Sequence, residues 1–103
     1  MKHRIEFSPT AEKEILAATD WIAASAPLNA QRWLDGIQAA IMSLEEMPHR
    51  CALARESDAF QLPVRQLVFK SHRIIFTVEE GVVRIHRVVH TARQSLESLE
   101  ELH

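Results

Sequence analysis

Three runs rich in β-branched residues, VRQLVFK (64–70), HRIIFTVE (72–79) and VVRIHRVV (82–89), are separated by little more than Ser71 and by Glu80-Gly81. Breaks this short leave no room for a crossover of a dozen residues, so the runs must pair as an antiparallel meander. Strand alternation puts Ile74, Phe76 and Val78 on one face of the second run and Arg73, Ile75 and Thr77 on the other. In the third run Val83, Ile85 and Val89 oppose Arg84, His86 and Val88. Arg87 falls on the Ile85 face, which implies either a bulge or an arginine that snorkels at an edge.

The rest of the chain supplies what such a sheet packs against. HRIEF (3–7) alternates like a half-buried strand. Ser8-Pro9 then opens a helix over about residues 9–25, because serine can cap a free backbone N–H and proline suits the first turn. Ala11, Ile15, Ala18 and Ile22 draw its apolar stripe, while Glu12, Lys13, Glu14 and Asp20 are expected to face water. After Pro27 a second helix carries Ala30, Trp33, Leu34, Ile37, Ile41 and Leu44 until Pro48 bars its continuation. Gly36, costing about 1 kcal/mol relative to alanine in a helix, is expected to let the alanine-rich first helix approach closely. Residues 48–63 show neither period and are expected to have low order. The tail ARQSLESLEELH spaces Leu96, Leu99 and Leu102 as a short amphipathic helix.

One domain spanning residues 1–103 is expected, of the α+β class: an N-terminal strand, an antiparallel two-helix hairpin, an antiparallel meander and a short C-terminal helix. The helices should cover one sheet face and leave the other concave, partly exposed and basic. No apolar run is long enough to span a bilayer, no apolar stretch follows MKHRIEFSP as in a secretory signal, and a single cysteine cannot form an internal disulfide. Cytoplasmic residence is the expectation.

The formal net charge of −2 conceals a segregation. Residues 1–49 hold four Lys/Arg against seven Asp/Glu, residues 50–93 eight against four, and residues 94–103 none against three. A basic middle between acidic ends suggests a positive surface for a polyanion or an acidic protein segment; ordinary cross-strand pairing of the same charges is at least as common.

The candidate site residues are therefore Arg65, Lys70, Arg73, Arg84, His86, Arg87, His90 and Arg93. Arginines on a sheet can clamp phosphates or steady the charge of phosphoryl transfer, and histidine can move protons near neutral pH. The six histidines do not space as a metal site, since His86 and His90 lie two pleats apart in a strand. Cys51 has no partner motif, and the only glycines, Gly36 and Gly81, exclude a glycine-rich phosphate loop. No cofactor or metal is expected.

VRQL, HRIIFTV and VVRIHRVVHTAR, in that order after NAQRWLDGI and a helix ended by Pro48, resemble the C-terminal signature of ParE toxins within the RelE/ParE toxin–antitoxin superfamily. The resemblance runs over the whole chain and rests on Arg65 with Leu67, the Arg73-Ile74 step, and His90 with Arg93. It implies a toxin that poisons DNA gyrase by direct contact, causes growth arrest and stabilises plasmids. The RelE-like alternative, a ribosome-dependent endoribonuclease, would use Arg65, Arg73 and His90; the chain has no tyrosine, and glutamates and leucines fill the terminal stretch where a general acid is expected. A third alternative is a degenerate toxin retaining only antitoxin binding. The resemblance also implies a ParD-like antitoxin whose acidic, apolar segment wraps the toxin and whose other part binds operator DNA. Arg65, Lys70, Arg73, Arg84, Arg87, His90 and Arg93 would then contact antitoxin or target. Trp21, Leu28 and Trp33 are either core or exposed until the antitoxin arrives.

Overall fold

A computed structural model describes residues 2–60 and 62–92. Strand β1 (Arg4–Phe7) leads into helices α1 (Pro9–Ala23) and α2 (Pro27–Met42), and strands β2 (Arg65–Phe69), β3 (His72–Glu79) and β4 (Val82–His90) follow three short 3₁₀ turns. The expected meander is present, and β1 joins it beside β4 to give a sheet of order β1-β4-β3-β2. β1 runs parallel to β4, with Ile5 opposite Val83 and Phe7 opposite Ile85, so the sheet is mixed.

Local chemistry explains the turns and helix starts. Glu80 and Gly81 have φ of 50° and 79°, the pair of positive values that a two-residue type I′ hairpin needs. At the other hairpin Lys70 takes φ 52°. The Ser8 hydroxyl oxygen accepts a hydrogen bond from the Ala11 N–H at 3.0 Å and donates to the His86 carbonyl at 2.8 Å. One side chain thus caps α1 and pins it to β4. Pro27 opens α2 directly, as the first-turn residue.

The main core lies between the hairpin and the sheet: Ala11 and Ile15 of α1, Trp33, Ile37 and Ile41 of α2, and Ile74, Phe76, Val83, Ile85 and Val88 of the sheet. Gly36 makes room for the Phe69 ring of β2, because a Cβ there would stand 2.6 Å from Phe69 Cζ. The glycine serves helix–sheet contact, not the expected helix–helix approach.

A bulge decides which residues of β4 face which way. Ile75 opposes Arg87 while Phe76 opposes Ile85, leaving His86 as the extra residue. An inserted residue flips all that follow it. Val88 therefore joins the helix-side core and Val89 packs with Ile75 on the far face, the reverse of strict alternation. Arg87 follows the same shift, so the bulge accounts for its place; its head group does not snorkel to water but is buried against Glu14 at the strand edge.

Beyond Phe7, β1 no longer covers β4, and the exposed edge is covered by α1. Glu14 Oε1 accepts the Val88 N–H at 2.9 Å, and the Arg87 guanidinium meets the same carboxylate at 2.9 and 2.7 Å. Glu14 thus substitutes for a missing strand and does not simply face water.

The far face is covered in part. Ala54, Phe60 and Val64, with Leu62 beside them, pack on Ile75 and Val89 as a second core. Ala54 N–H donates to the Val64 carbonyl at 2.7 Å and Gln66 N–H to that of Ala52 at 3.1 Å. Apart from Gln61, which lies outside the described residues, the segment expected to have low order is an ordered cover made of turns, which neither a helix nor a strand period reveals. The expected C-terminal helix lies outside the described residues. Among those described, no helix is long and apolar enough to cross a membrane.

Glu14→Ala removes both the partner of a guanidinium whose side chain is only 7% exposed and the acceptor of an edge N–H. It is expected to lower stability by about 3 kcal/mol, seen as a fall of roughly 10 °C or more in the thermal midpoint by circular dichroism.

Candidate functional site

The sheet's cations divide into neutralised and free. Arg73 is 4% exposed and lies on the far face, where its guanidinium donates to both oxygens of Glu56 at 2.9 and 2.7 Å and to Gln66 Oε1 at 3.0 Å. The Glu56 side chain is fully buried, so the pair is a dry, bidentate ion pair. Arg87 is likewise buried against Glu14. Arg84 meets Glu6 at 3.3 Å near the surface, and Glu6 also holds Arg4 at 2.9 Å. Arg65 directs Nη1 to the Cys51 and His49 carbonyls at 2.7 and 3.3 Å, tying the 48–64 cover to the sheet.

Lys70 is exposed on the β2–β3 turn and His90 is exposed at the end of β4. Arg93 lies outside the described residues. His86 is buried, with Nε2 2.9 Å from Thr77 Oγ1.

The residues proposed for a ribonuclease are not brought together. Arg73 pairs across the sheet with Val89, whereas His90 pairs with His72 and shares the helix side with it. Successive residues project to opposite faces, so Arg73 and His90 are on opposite sides of the sheet. Arg65 is opposite Phe76 and His90 opposite His72, four positions along β3, or roughly 13 Å at the rise of a strand. The far face does keep a concave, partly exposed hollow of about 570 Å³ at its β1–β4 end, but Arg4, Arg84 and His86 stand there among Glu6, Glu79 and Glu80, so the expected basic character is missing. Among the described residues no group of three metal-ligating side chains occurs.

Two other surfaces are prominent. The groove between α1 and α2, about 330 Å³, is lined by Leu16, Leu34, Ile15, Ile41 and Phe7, and Leu16 is 61% exposed. At the opposite end of the hairpin a cleft of about 350 Å³ is bounded by Trp21, Trp33, Lys70, His72 and His90. Trp33 meets His72 edge-on at 5.2 Å, and His72 meets His90 at 5.4 Å. Of the two tryptophans, Trp33 is core and Trp21 is 80% exposed, as is Leu28 at 64%. Burial, assisted by His90, pushes the His72 imidazole below its ordinary value of 6.5, with Glu14 acting in the opposite direction. Burial also raises the Cys51 thiol, which makes it less reactive at neutral pH.

The sequence concealed His72 and Trp33 as partners because only tertiary packing joins a helix position to a strand end. Glu56 was concealed by sitting in a turn. The cross-strand pairing of His72 with His90 was legible in principle from the one-residue break at 71, once the register is counted.

Arg73→Ala is expected to cost about 3–5 kcal/mol, because it leaves the Glu56 carboxylate buried and unpaired. Replacing both members, as Arg73→Met with Glu56→Leu, should restore most of that loss in urea unfolding. A folded imidazole held below 6.5 stays neutral while the unfolded one takes up a proton, so the contribution of His72 is complete above that value and is lost as pH falls beneath it. His72→Gln should therefore flatten stability against pH between about 7 and 5 in thermal melts.

Residues 5–95 match the family described as ParE toxin of type II toxin–antitoxin system, parDE. No curated protein matches the sequence significantly. Among solved structures, the chromosomal ParDE TA system from P. aeruginosa contains a chain that aligns with a TM-score of 0.71 and 17% identity, covering 86% of this chain and 96% of that one. At that identity the likeness is one of fold. With a family match across nearly the whole sequence and a fold that agrees with it, the chain belongs to the ParE toxin family of type II toxin–antitoxin systems.

Proposed function

We propose that this chain is a toxin that arrests growth by inhibiting DNA gyrase through direct protein contact, and that a ParD-like antitoxin neutralises it. The observation that carries the reading is the commitment of Arg73 to the buried Glu56 carboxylate and of Arg87 to the half-buried Glu14 carboxylate. Guanidinium groups held in this way are not free to receive a phosphodiester in its transition state, and the three residues a ribonuclease would use are split between faces. Contact with a protein target does not need them to converge.

The structurally similar chain comes from a ParDE toxin–antitoxin system, which supports an antitoxin as partner. An amphipathic segment could lay leucines in the groove at Leu16 and Leu34 while its carboxylates meet Lys70 and the rim of Arg65, a case of folding coupled to binding. Contact with operator DNA would then run through the antitoxin alone, and a toxin outlasting its antitoxin would stabilise a plasmid that carries the pair. Gyrase and antitoxin place this action in the cytoplasm.

Induced expression without antitoxin is expected to stop growth, and the purified chain should inhibit gyrase supercoiling while leaving mRNA intact in a translating extract. Ribosome-dependent cleavage with normal supercoiling would replace this reading by the ribonuclease one. Harmless expression of a folded chain would leave the degenerate-toxin reading.

A further inference from the structure

The cleft at the end of the hairpin gathers donors and has no carboxylate to meet them. Trp33 is 5% exposed, and its indole N–H has no hydrogen-bond partner among the described residues. A buried N–H left in that condition carries its full desolvation penalty. His90 Nδ1 accepts the Ala92 N–H at 3.1 Å, so the proton of the neutral ring belongs on Nε2, which is then a donor. Lys70 adds an ammonium group at the rim, and no carboxylate lines the cleft. Trp21, on the same rim, leaves a large indole in water without cover.

The chemistry of an occupant follows. One full positive charge with neutral donors suits a monoanion better than a doubly charged phosphate. Apart from the Ser71 hydroxyl, the remaining walls are apolar, from Ala18, Ile22 and the two indoles, which suits a short aliphatic stem. A space of about 350 Å³ holds a side chain, not a folded element.

We propose that this cleft is an anchor site for the carboxylate of an acidic side chain on the antitoxin, with Trp21 covering its methylene stem; the assignment rests on the antitoxin reading above. The groups facing the anion are Lys70, His72 and His90, with Glu14 of α1 behind His72. A bound carboxylate favours the charged form of His72, so the complex takes up a proton there and tightens as pH falls.

The test uses the full-length chain with its cognate antitoxin. Zero-length carbodiimide coupling joins an amine only to a carboxylate in contact with it, and the chain has three lysines, Lys2, Lys13 and Lys70. Peptide mapping should find Lys70 coupled to an antitoxin Asp or Glu. Trp21→Ala and Lys70→Glu change exposed side chains. Each should weaken antitoxin affinity about tenfold or more with an unchanged melting midpoint, and the wild-type affinity should rise at lower pH. Wild-type affinity in both variants with Lys70 uncoupled would overturn the anchor site while leaving the antitoxin reading intact. Failure of the wild-type chain to bind the antitoxin at all would remove both.

Discussion

The pairing of Arg73 with Glu56 and of Arg87 with Glu14 allows β3 and β4 to be covered on both faces. Burying a guanidinium alone would cost several kcal/mol, more than one ordinary core contact repays. The sheet therefore requires a carboxylate to be brought to each one. Glu56 arrives on the turn-rich segment that forms the second core, and Glu14 arrives on α1, which forms the first. Each ion pair thus fastens one covering layer to the sheet, and neither layer can shift without exposing a charge in a dry place.

The bulge at His86 belongs to the same arrangement. It ends the register that β1 shares with β4 and sends the later residues of β4 to opposite faces. The free edge that results receives Ser8 and Glu14 in place of strand neighbours. Ser8 was legible as a cap from its place before Pro9, whereas its second bond to the His86 carbonyl depends on tertiary contact alone. The meander and the helical stripes were legible for the same reason as the cap: short-range spacing specifies them. β1 lying parallel beside β4 was not, because its pairing closes a loop of most of the chain. The covers of the far face were missed since an irregular segment can bury Ala54, Phe60 and Val64 without any period.

The charge segregation that first suggests a polyanion surface has an internal explanation. The excess of positive charge in residues 50–93 is met in part by acids of the first helix and strand, Glu14 and Glu6, across a long stretch of chain. What is left on the outside among the described residues of that stretch is Arg50, Arg55, Lys70, the paired Arg84 and part of Arg65, beside apolar positions such as Leu16, Trp21 and Leu28. That surface has the composition of a protein-binding face more than of a nucleic-acid groove, which would present a continuous row of free cations. Of the candidate residues, exposure and position single out Lys70 and His90, and both lie at the same end of the molecule around the Trp33 and His72 rings.

Arg73 and Arg87 are structural cations whose partners lie inside the fold. Nitrogen-15 NMR of the guanidinium groups reads that state residue by residue. Slowly exchanging, individually resolved Nη–H signals for both residues, unmoved by a single-stranded oligonucleotide, are the expected result. Averaged, rapidly exchanging signals, or signals that shift when the oligonucleotide is added, would show that these arginines are free to act on a nucleic acid and would contradict the account.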